Sequence, residues 1–269
     1  MKTKSLFCCV IVFSLVISIF MSNVKIKDEA VNVESNYNIP VLMYHFFTKS
    51  SSKAGKYTIT STKLESDLKY ISDNYVSIAS KDLIEYKLGM REIPSNAIII
   101  TVDDSSLSFY TIMFPLLIKY NIKVILNVVG KYSDDNNGFH MTWNQIKEVE
   151  TSSFVELGSH SYDLHEYGNG KYAMKKYTNE TLNDYVLRVE KDLKMNNDLL
   201  ESLNGIKPTV FAYPLGYSNK TLKEIVKKSF SVSFSCRETL YNLNDLYNIP
   251  RFNRDGTLTT EQFFTKIYS

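Results

Sequence analysis

Two segments of the chain end in side chains that can bind a metal ion. The apolar run Ile98-Ile-Ile-Thr-Val is followed by Asp103 and Asp104, and the run after Val155 leads to His160 and His165. The chain has only four histidines, so two of them within six residues at the end of an apolar run form a distinctive pattern. Two imidazoles and one carboxylate make a metal site that leaves coordination positions open for water and substrate. A hydrolytic metal centre needs such open positions.

The two adjacent carboxylates point to two separate tasks. A single aspartate at the end of a strand often caps the helix that follows it, and Asp103 or Asp104 alone would fit that role. Adjacent side chains project in different directions, however, so one can bind the metal while the other faces a bound water. A helix cap needs only one carboxylate, which favours the chemical interpretation of the pair.

Three further segments place polar groups where they could join this chemistry. His45 follows the apolar run 39–43, either as a core histidine or as a proton donor. Tyr213 begins a Tyr-Pro-Leu-Gly turn in which the Leu215 backbone N–H could face a developing oxyanion, with an ordinary turn as the alternative. Arg251 either pairs with a surface acid or orients Asp103 from behind the site.

Short apolar runs alternate with helix-like stretches along most of the chain. The runs that predict strands are 39–43, 75–78, 97–102, 123–129, 154–158, 209–212, 231–234 and 247–249. The stretches that predict helices are 62–73, 81–88, 107–120, 143–150, 181–203 and 219–228. This alternation predicts a largely parallel sheet covered by helices. We expect a distorted or partly open (β/α) barrel with seven or eight mostly parallel strands.

In such a fold the chemical residues fall on one face. His45, the aspartate pair, His160 and the Tyr213 turn all follow predicted strands, and parallel strands place their carboxyl ends at the same edge of the sheet. Residues with only structural roles would not sort themselves to one edge. The sequence therefore predicts one functional face.

The N-terminal residues bear on location. Lys2 and Lys4 precede an apolar stretch over 6–21, which makes residues 1–23 a signal peptide or an N-terminal membrane anchor. Residues 24–37 are polar and predict a spacer, and residues 38–269 form the functional domain. Cys236 is the one cysteine of that domain, so no intramolecular disulfide is expected there. We expect a secreted or membrane-anchored, extracytoplasmic protein.

Composition excludes some partners. The net charge is +2 and the lysines are scattered, which gives no electrostatic basis for binding nucleic acid. Membrane association would come only from the N-terminal segment. We expect a monomer.

At these residues the chain resembles the polysaccharide deacetylases of carbohydrate esterase family 4, the NodB-homology domain. The family motif Thr-Phe-Asp-Asp-Gly stands here as Thr101-Val-Asp-Asp-Ser105, and the family's His-(Ser/Thr)-…-His motif as His160-Ser-Tyr-Asp-Leu-His165. The longer histidine spacing, the early Met43-Tyr44-His45 and the turn ending at Gly216 are most similar to the poly-N-acetylglucosamine deacetylase branch. The resemblance covers about residues 39–255.

The resemblance implies a role for each matched residue. Asp103 would be the general base, and His45 the general acid that other branches supply from a later histidine. Asp104, His160 and His165 would hold one divalent metal ion, zinc or else cobalt, nickel or iron. The implied substrate is an extracellular N-acetylated polysaccharide, and the resemblance favours poly-β-1,6-N-acetylglucosamine. The implied reaction releases acetate.

Two positions depart from the family pattern. Ser105 replaces a glycine, which would be strained if that position needs a positive φ. Leu215 replaces an aromatic residue after the proline, which removes a stacking face but keeps the backbone N–H. These departures motivate a non-catalytic cell-surface glycan-binding homologue as one alternative. A peptidoglycan or chitooligosaccharide deacetylase is the enzymatic alternative.

Overall fold

The computed structural model describes residues 37–168 and 171–269. The predicted leader, residues 1–23, and nearly all of the predicted spacer lie outside the described residues. Within the described ranges, no helix combines the length and the apolar character that crossing a membrane requires.

The described chain contains one large parallel sheet and two small sheets. The strands of the large sheet are β1 (Val41–Tyr44), β4 (Val76–Ile78), β5 (Ala97–Asp103), β6 (Val124–Val128), β7 (Val155–Ser159), β10 (Val210–Ala212), β11 (Val232–Phe234) and β12 (Phe252–Asn253). Seven of them run in the order β11-β10-β7-β6-β5-β1-β12, and β4 pairs with the first half of β5. Strands β2 (Phe46–Thr48) and β3 (Thr58–Thr60) pair in parallel, and β8 (Tyr167–Gly168) and β9 (Lys171–Tyr172) form a hairpin.

Helices connect successive strands and cover the sheet. They are α1 (Ser61–Asn74), α2 (Ser80–Lys87), α3 (Phe114–Tyr120), α4 (Gly130–Asp134), α5 (Trp143–Glu150), α6 (Leu182–Asn204), α7 (Lys220–Ser229) and α8 (Thr260–Ile267). A π-helical segment, Phe109–Met113, leads into α3, and a short 3-10 turn, Pro214–Gly216, follows β10. The predicted partly open (β/α) barrel is therefore confirmed.

The sequence pattern was wrong about the last strand. The run 247–249 is not a strand; Ile249 makes only an isolated bridge to Phe234 at the end of β11. The closing strand β12 begins after Pro250, and its Phe252 is the register partner of Leu42 on β1. Proline has no N–H to contribute to a strand ladder, so the chain leaves one edge of the sheet before Pro250 and joins the other after it. The segment thus spans the open side of the barrel.

Strand β5 is covered on both faces and carries a carboxylate only at its last residue. All seven of its residues are buried. Ile98, Ile100 and Val102 pack into one apolar cluster, whereas Ile99 packs into another on the opposite face of the sheet. A strand covered on both faces reads as a continuous apolar run. Its first carboxylate, Asp103, therefore appears only where the strand reaches the edge.

Candidate metal centre

A cavity of about 810 Å³ opens at the carboxyl ends of the parallel strands. It is lined by Met43, His45, Phe46, Lys56, Tyr57, Asp103, Asp104, His160, His165, Tyr172, Leu215, Cys236, Glu238, Asn253, Asp255 and Lys266. Residues from β1, β5, β7, the turn after β10 and the segment around β12 meet here, although long stretches of sequence separate them. Strand-end residues that the sequence predicted on one face therefore line one cavity.

Three side chains at the floor of this cavity form a compact ligand set. Ligand atoms of Asp104, His160 and His165 all lie within 4.8 Å of one another. Asp104 Oδ1 lies 3.2 Å from His165 Nε2 and 3.7 Å from His160 Nε2. This buried carboxylate oxygen accepts no hydrogen bond within the described ranges. One carboxylate and two imidazoles that converge in this way suit a divalent metal ion.

The outer contacts of the two histidines fit metal binding. His160 Nδ1 lies 2.8 Å from the Ala212 carbonyl oxygen, so it donates its proton there and leaves Nε2 free to face Asp104. His165 Nδ1 lies 3.1 Å from the Tyr132 hydroxyl. Burial lowers the pKa of His160 to about 4, which keeps the ring neutral, as a metal ligand must be. The residues present therefore fit a divalent ion.

Asp103 lies beside the ligand set in a different environment. Its Oδ1 accepts hydrogen bonds from Arg251 Nη1 at 2.8 Å and from Asn127 Nδ2 at 2.7 Å. Its Oδ2 lies 3.9 Å from His160 Nε2. Burial alone would raise the pKa of Asp103. The Arg251 guanidinium and the neighbouring imidazoles lower it by a larger amount, so the pKa lies well below its ordinary value. The carboxylate is ionised and keeps one oxygen turned toward the ligands.

Arg251 contacts Asp103 rather than a surface acid. Its side chain is fully buried, and it also donates to the Ser235 carbonyl and to Thr101 Oγ1. Together these bonds fix the guanidinium behind the β5 carboxylate. Of the two partners that the sequence left open for Arg251, the structure places Asp103 beside it, and the orienting role stays a prediction.

His45 lines the same cavity from the end of β1. Its ring packs edge-on against Tyr57, with centroids 5.0 Å apart. Burial lowers the pKa of His45, while Asp103 and Asp104 oppose that effect. Its Nδ1 is buried and has no hydrogen-bond partner in residues 37–168 and 171–269. The structure thus brings His45 to the cavity, where it can exchange a proton with a bound molecule.

The turn after β10 contributes Leu215 but not the Tyr213 ring. Leu215 lines the cavity and is 45% exposed. The Tyr213 side chain is buried in an apolar cluster with Phe211 and Leu222, and it does not line the cavity. Tyr213 acts through its backbone, since its carbonyl accepts the Gly216 N–H that closes the turn. The turn therefore reaches the cavity through Leu215 and not through the Tyr213 ring.

Backbone strain is concentrated at these strand ends. Asp104 and Ser105 both have positive φ, +73° and +46°, and Ser161 next to His160 has φ +73°. Leu215 has φ +55°. Non-glycine residues in this region cost on the order of 1–3 kcal/mol each and occur preferentially at functional sites. Ser105 therefore has the positive φ that the glycine of the family motif would adopt without strain.

An acidic residue on α6 holds the segment between the two histidine ligands. Asp192 Oδ1 accepts the Tyr162 N–H at 2.9 Å, and its Oδ2 accepts the Asp163 N–H at 2.8 Å. Burial raises the pKa of Asp192 to about 6. These two bonds fix the irregular loop that joins His160 to His165.

Sequence reasoning missed four supporting residues: Asn127, Tyr132, His140 and Asp192. The His140 ring stacks on Tyr132, with centroids 4.2 Å apart, and Tyr132 in turn contacts His165. Asn127 did carry a signal, since a polar residue interrupts the apolar run of β6. Gly158, its register partner on β7, leaves room for the amide, because a Cβ there would collide with Asn127 Oδ1.

Comparisons with known proteins identify related chains. Residues 91–229 match the family model described as polysaccharide deacetylase. A poly-beta-1,6-N-acetyl-D-glucosamine N-deacetylase of Escherichia coli K12 is 26% identical over 222 residues, covering 72% of this chain and 33% of the relative. The protein of that name from Staphylococcus aureus MSSA476 is 26% identical over 215 residues, covering 77% of this chain and 71% of the relative.

A solved structure shares the fold. The de-N-acetylase from Aggregatibacter actinomycetemcomitans superposes with a TM-score of 0.76 at 21% identity, covering 85% of this chain and 99% of that one. This likeness supports the partly open barrel. This chain spans about a third of the length of the E. coli relative.

Proposed function

The chain belongs to the polysaccharide deacetylase family, and from that premise we propose that it hydrolyses N-acetyl groups of an extracellular amino sugar polymer. The observation that carries the proposal is the relation of Asp103 to the ligand set. Its Oδ1 is held by Arg251 and Asn127, while its Oδ2 faces His160 beside the three converging ligands. An ionised carboxylate oriented in this way can take a proton from a water molecule held at the same place.

The proposed reaction divides its proton transfers between two residues, Asp103 and His45. Asp104, His160 and His165 would hold the metal, and the bound ion would supply Lewis acidity toward water and the acetamide carbonyl. Asp103 Oδ2 accepts a proton as water oxygen bonds to the carbonyl carbon. The carbon–nitrogen bond then breaks, and acetate and a free amine leave.

Two residues on other strands complete the mechanism. His45, which also lines the cavity, delivers a proton to the departing amine and takes one up from solvent before the next turnover. The Leu215 N–H, in the strained turn after β10, donates a hydrogen bond to the developing oxyanion. Pro214 and the hydrogen bond from the Gly216 N–H to the Tyr213 carbonyl hold the turn in one conformation.

We assign the substrate as poly-β-1,6-N-acetylglucosamine and the location as extracytoplasmic. Two relatives carry that substrate in their names, and they cover 72% and 77% of this chain. The apolar N-terminal stretch that follows Lys2 and Lys4 supports export or anchoring. The product amine is cationic and would change the charge of the polymer.

Acetate release from defined oligomers tests the proposal. Purified protein with added zinc, cobalt, nickel or iron is incubated with hexamers of β-1,6-linked N-acetylglucosamine, of chitin and of peptidoglycan glycan. We expect the fastest release from the β-1,6-linked hexamer. Faster release from either other hexamer would reassign the substrate, and no release from any of them with metal bound would indicate a glycan-binding homologue.

Metal content provides a measurement independent of activity. We expect about one equivalent of divalent metal in the wild type and much less in His165→Ala, a substitution at a ligand that is only partly buried. His45→Ala is the matched control for metal content, since His45 lines the same cavity but lies outside the ligand set. Equal occupancy in wild type and His165→Ala would overturn the ligand assignment.

A further inference from the structure

A half-buried phenylalanine of the cavity lining contacts an exposed phenylalanine outside it. Phe46 on β2 lines the cavity, and its ring centroid is 5.4 Å from that of Phe139 on the loop before α5. Phe139 is 57% exposed. We call these two rings the aromatic rim pair. None of the residue roles described above uses this pair.

The segment that follows Asp103 and Asp104 holds Phe139 in place. The Leu107 N–H donates to the Phe139 carbonyl at 2.8 Å, and the Met141 N–H donates to the Ser105 carbonyl at 2.9 Å. Asn137 Oδ1 caps the loop by accepting the Phe139 N–H at 2.9 Å. The exposed ring is therefore attached to the segment that follows the two catalytic aspartates, and its position relative to them is fixed by backbone bonds.

Ring contacts connect the pair to both sides of the active site. Phe46 neighbours the His45 ring at 6.1 Å, on the proton-donor side. Phe139 contacts His140 at 5.0 Å, and the series continues through Tyr132 to His165 on the metal side. The aromatic rim pair thus joins the cavity lining, at Phe46, to the exposed ring of Phe139.

We propose that the aromatic rim pair binds the sugar unit next to the one being deacetylated. This inference rests on the proposed function, because a polymer with its reacting unit at the metal must leave the cavity across its rim. Aromatic side chains offer a large apolar face, which suits the apolar C–H face of a pyranose. The two rings are tilted by 47°, so they offer two faces to a flexible chain.

The test compares a long substrate with a small one. For Phe139→Ala, kcat/KM is measured on the β-1,6-linked N-acetylglucosamine hexamer and on 4-methylumbelliferyl acetate, an ester with no second sugar. We expect the hexamer-to-ester ratio of kcat/KM to fall about tenfold, through a higher KM for the hexamer. Phe139→Trp should keep the ratio near that of wild type, because it restores a stacking face.

Tyr268→Ala is the matched control, since Tyr268 is similarly exposed at 53% but lines a different groove beside α1 and α8. Its ratio should equal that of wild type. An unchanged ratio in Phe139→Ala would overturn the proposal. An equal loss on both substrates would also overturn it, because the loop would then act only by supporting the segment that follows Asp103 and Asp104.

A binding measurement distinguishes failure of the proposed function from failure of this inference. If the wild type releases no acetate from the hexamer, calorimetric binding of the hexamer to wild type and Phe139→Ala decides the proposal. Weaker binding by the variant supports the sugar site, and equal binding or no binding to either protein overturns it.

Discussion

Two buried aspartate–arginine pairs lie side by side in this molecule, and their surroundings differ. Arg251 and Arg254 flank β12; the first binds Asp103 in the cavity, and the second binds Asp67 on α1. All four side chains are almost completely buried. Asp67 receives both Arg254 Nε at 2.6 Å and Nη2 at 3.1 Å, so that pair is bidentate. The Asp103 pair has a single guanidinium contact, at 2.8 Å.

The remaining hydrogen bonds explain the difference. Tyr44 and Thr260 donate to the two oxygens of Asp67, which fills both oxygens with donors. Asp103 takes both of its hydrogen bonds on Oδ1, from Arg251 and Asn127, and leaves Oδ2 turned toward His160. A saturated carboxylate is suited to holding α1 against the C-terminal segment. A carboxylate with one free oxygen is suited to accepting a proton.

The largest effect is expected from Asp103→Asn. Removing the proposed base should lower kcat for acetate release by about 10²–10⁴-fold. The rate is measured per folded molecule, with the folded fraction taken from circular dichroism. Acetate release at the wild-type rate would contradict the assignment of Asp103 as the base.

Asp67→Asn should have the opposite signature. The substitution leaves the Arg254 guanidinium buried without its counter-charge, so the free energy of unfolding should fall by about 3–5 kcal/mol. Urea denaturation measures that loss, and kcat per folded molecule should stay at the wild-type value. If kcat fell as far as in Asp103→Asn, the two pairs would not be functionally distinct.

Asp192→Ala tests whether the histidine loop depends on its α6 anchor. The change leaves the N–H groups of Tyr162 and Asp163 without their acceptor, which should lower unfolding free energy by about 1–3 kcal/mol. Affinity for zinc, measured by titration, should fall by roughly tenfold because the outer support of the ligands is lost. Asp198→Ala, on the exposed side of the same helix, is the control and should change neither quantity.

The smallest effect is expected from Asn127→Ala. It removes one of the two donors that fix Asp103 Oδ1, and kcat should fall about five- to tenfold with little change in KM. Metal content should match that of wild type, because Asn127 touches no ligand. A change in KM alone would show that Asn127 supports substrate binding rather than the orientation of Asp103.

Much of the site could be predicted from the sequence because strand ends are local features. The apolar run before Asp103 and the one before His160 each end where the chain leaves the sheet, so residue type and position together indicated a common edge. The closing strand could not be predicted in the same way. Phe252 and Asn253 form only a two-residue strand, and it exists through pairing with distant β1.

The sequence by itself determined the ligand types, the strand-end placement and the partly open barrel, because each follows from short-range pattern. Only the tertiary structure showed how Asp103 is held with Oδ2 turned toward the ligand set. That arrangement depends on Arg251, which lies 148 residues from Asp103 in the chain, and on Asn127 from the neighbouring strand. Charges and amides that meet across a folded sheet leave no mark on the local pattern of either segment, so the hydrogen bonds that orient Asp103 required the fold.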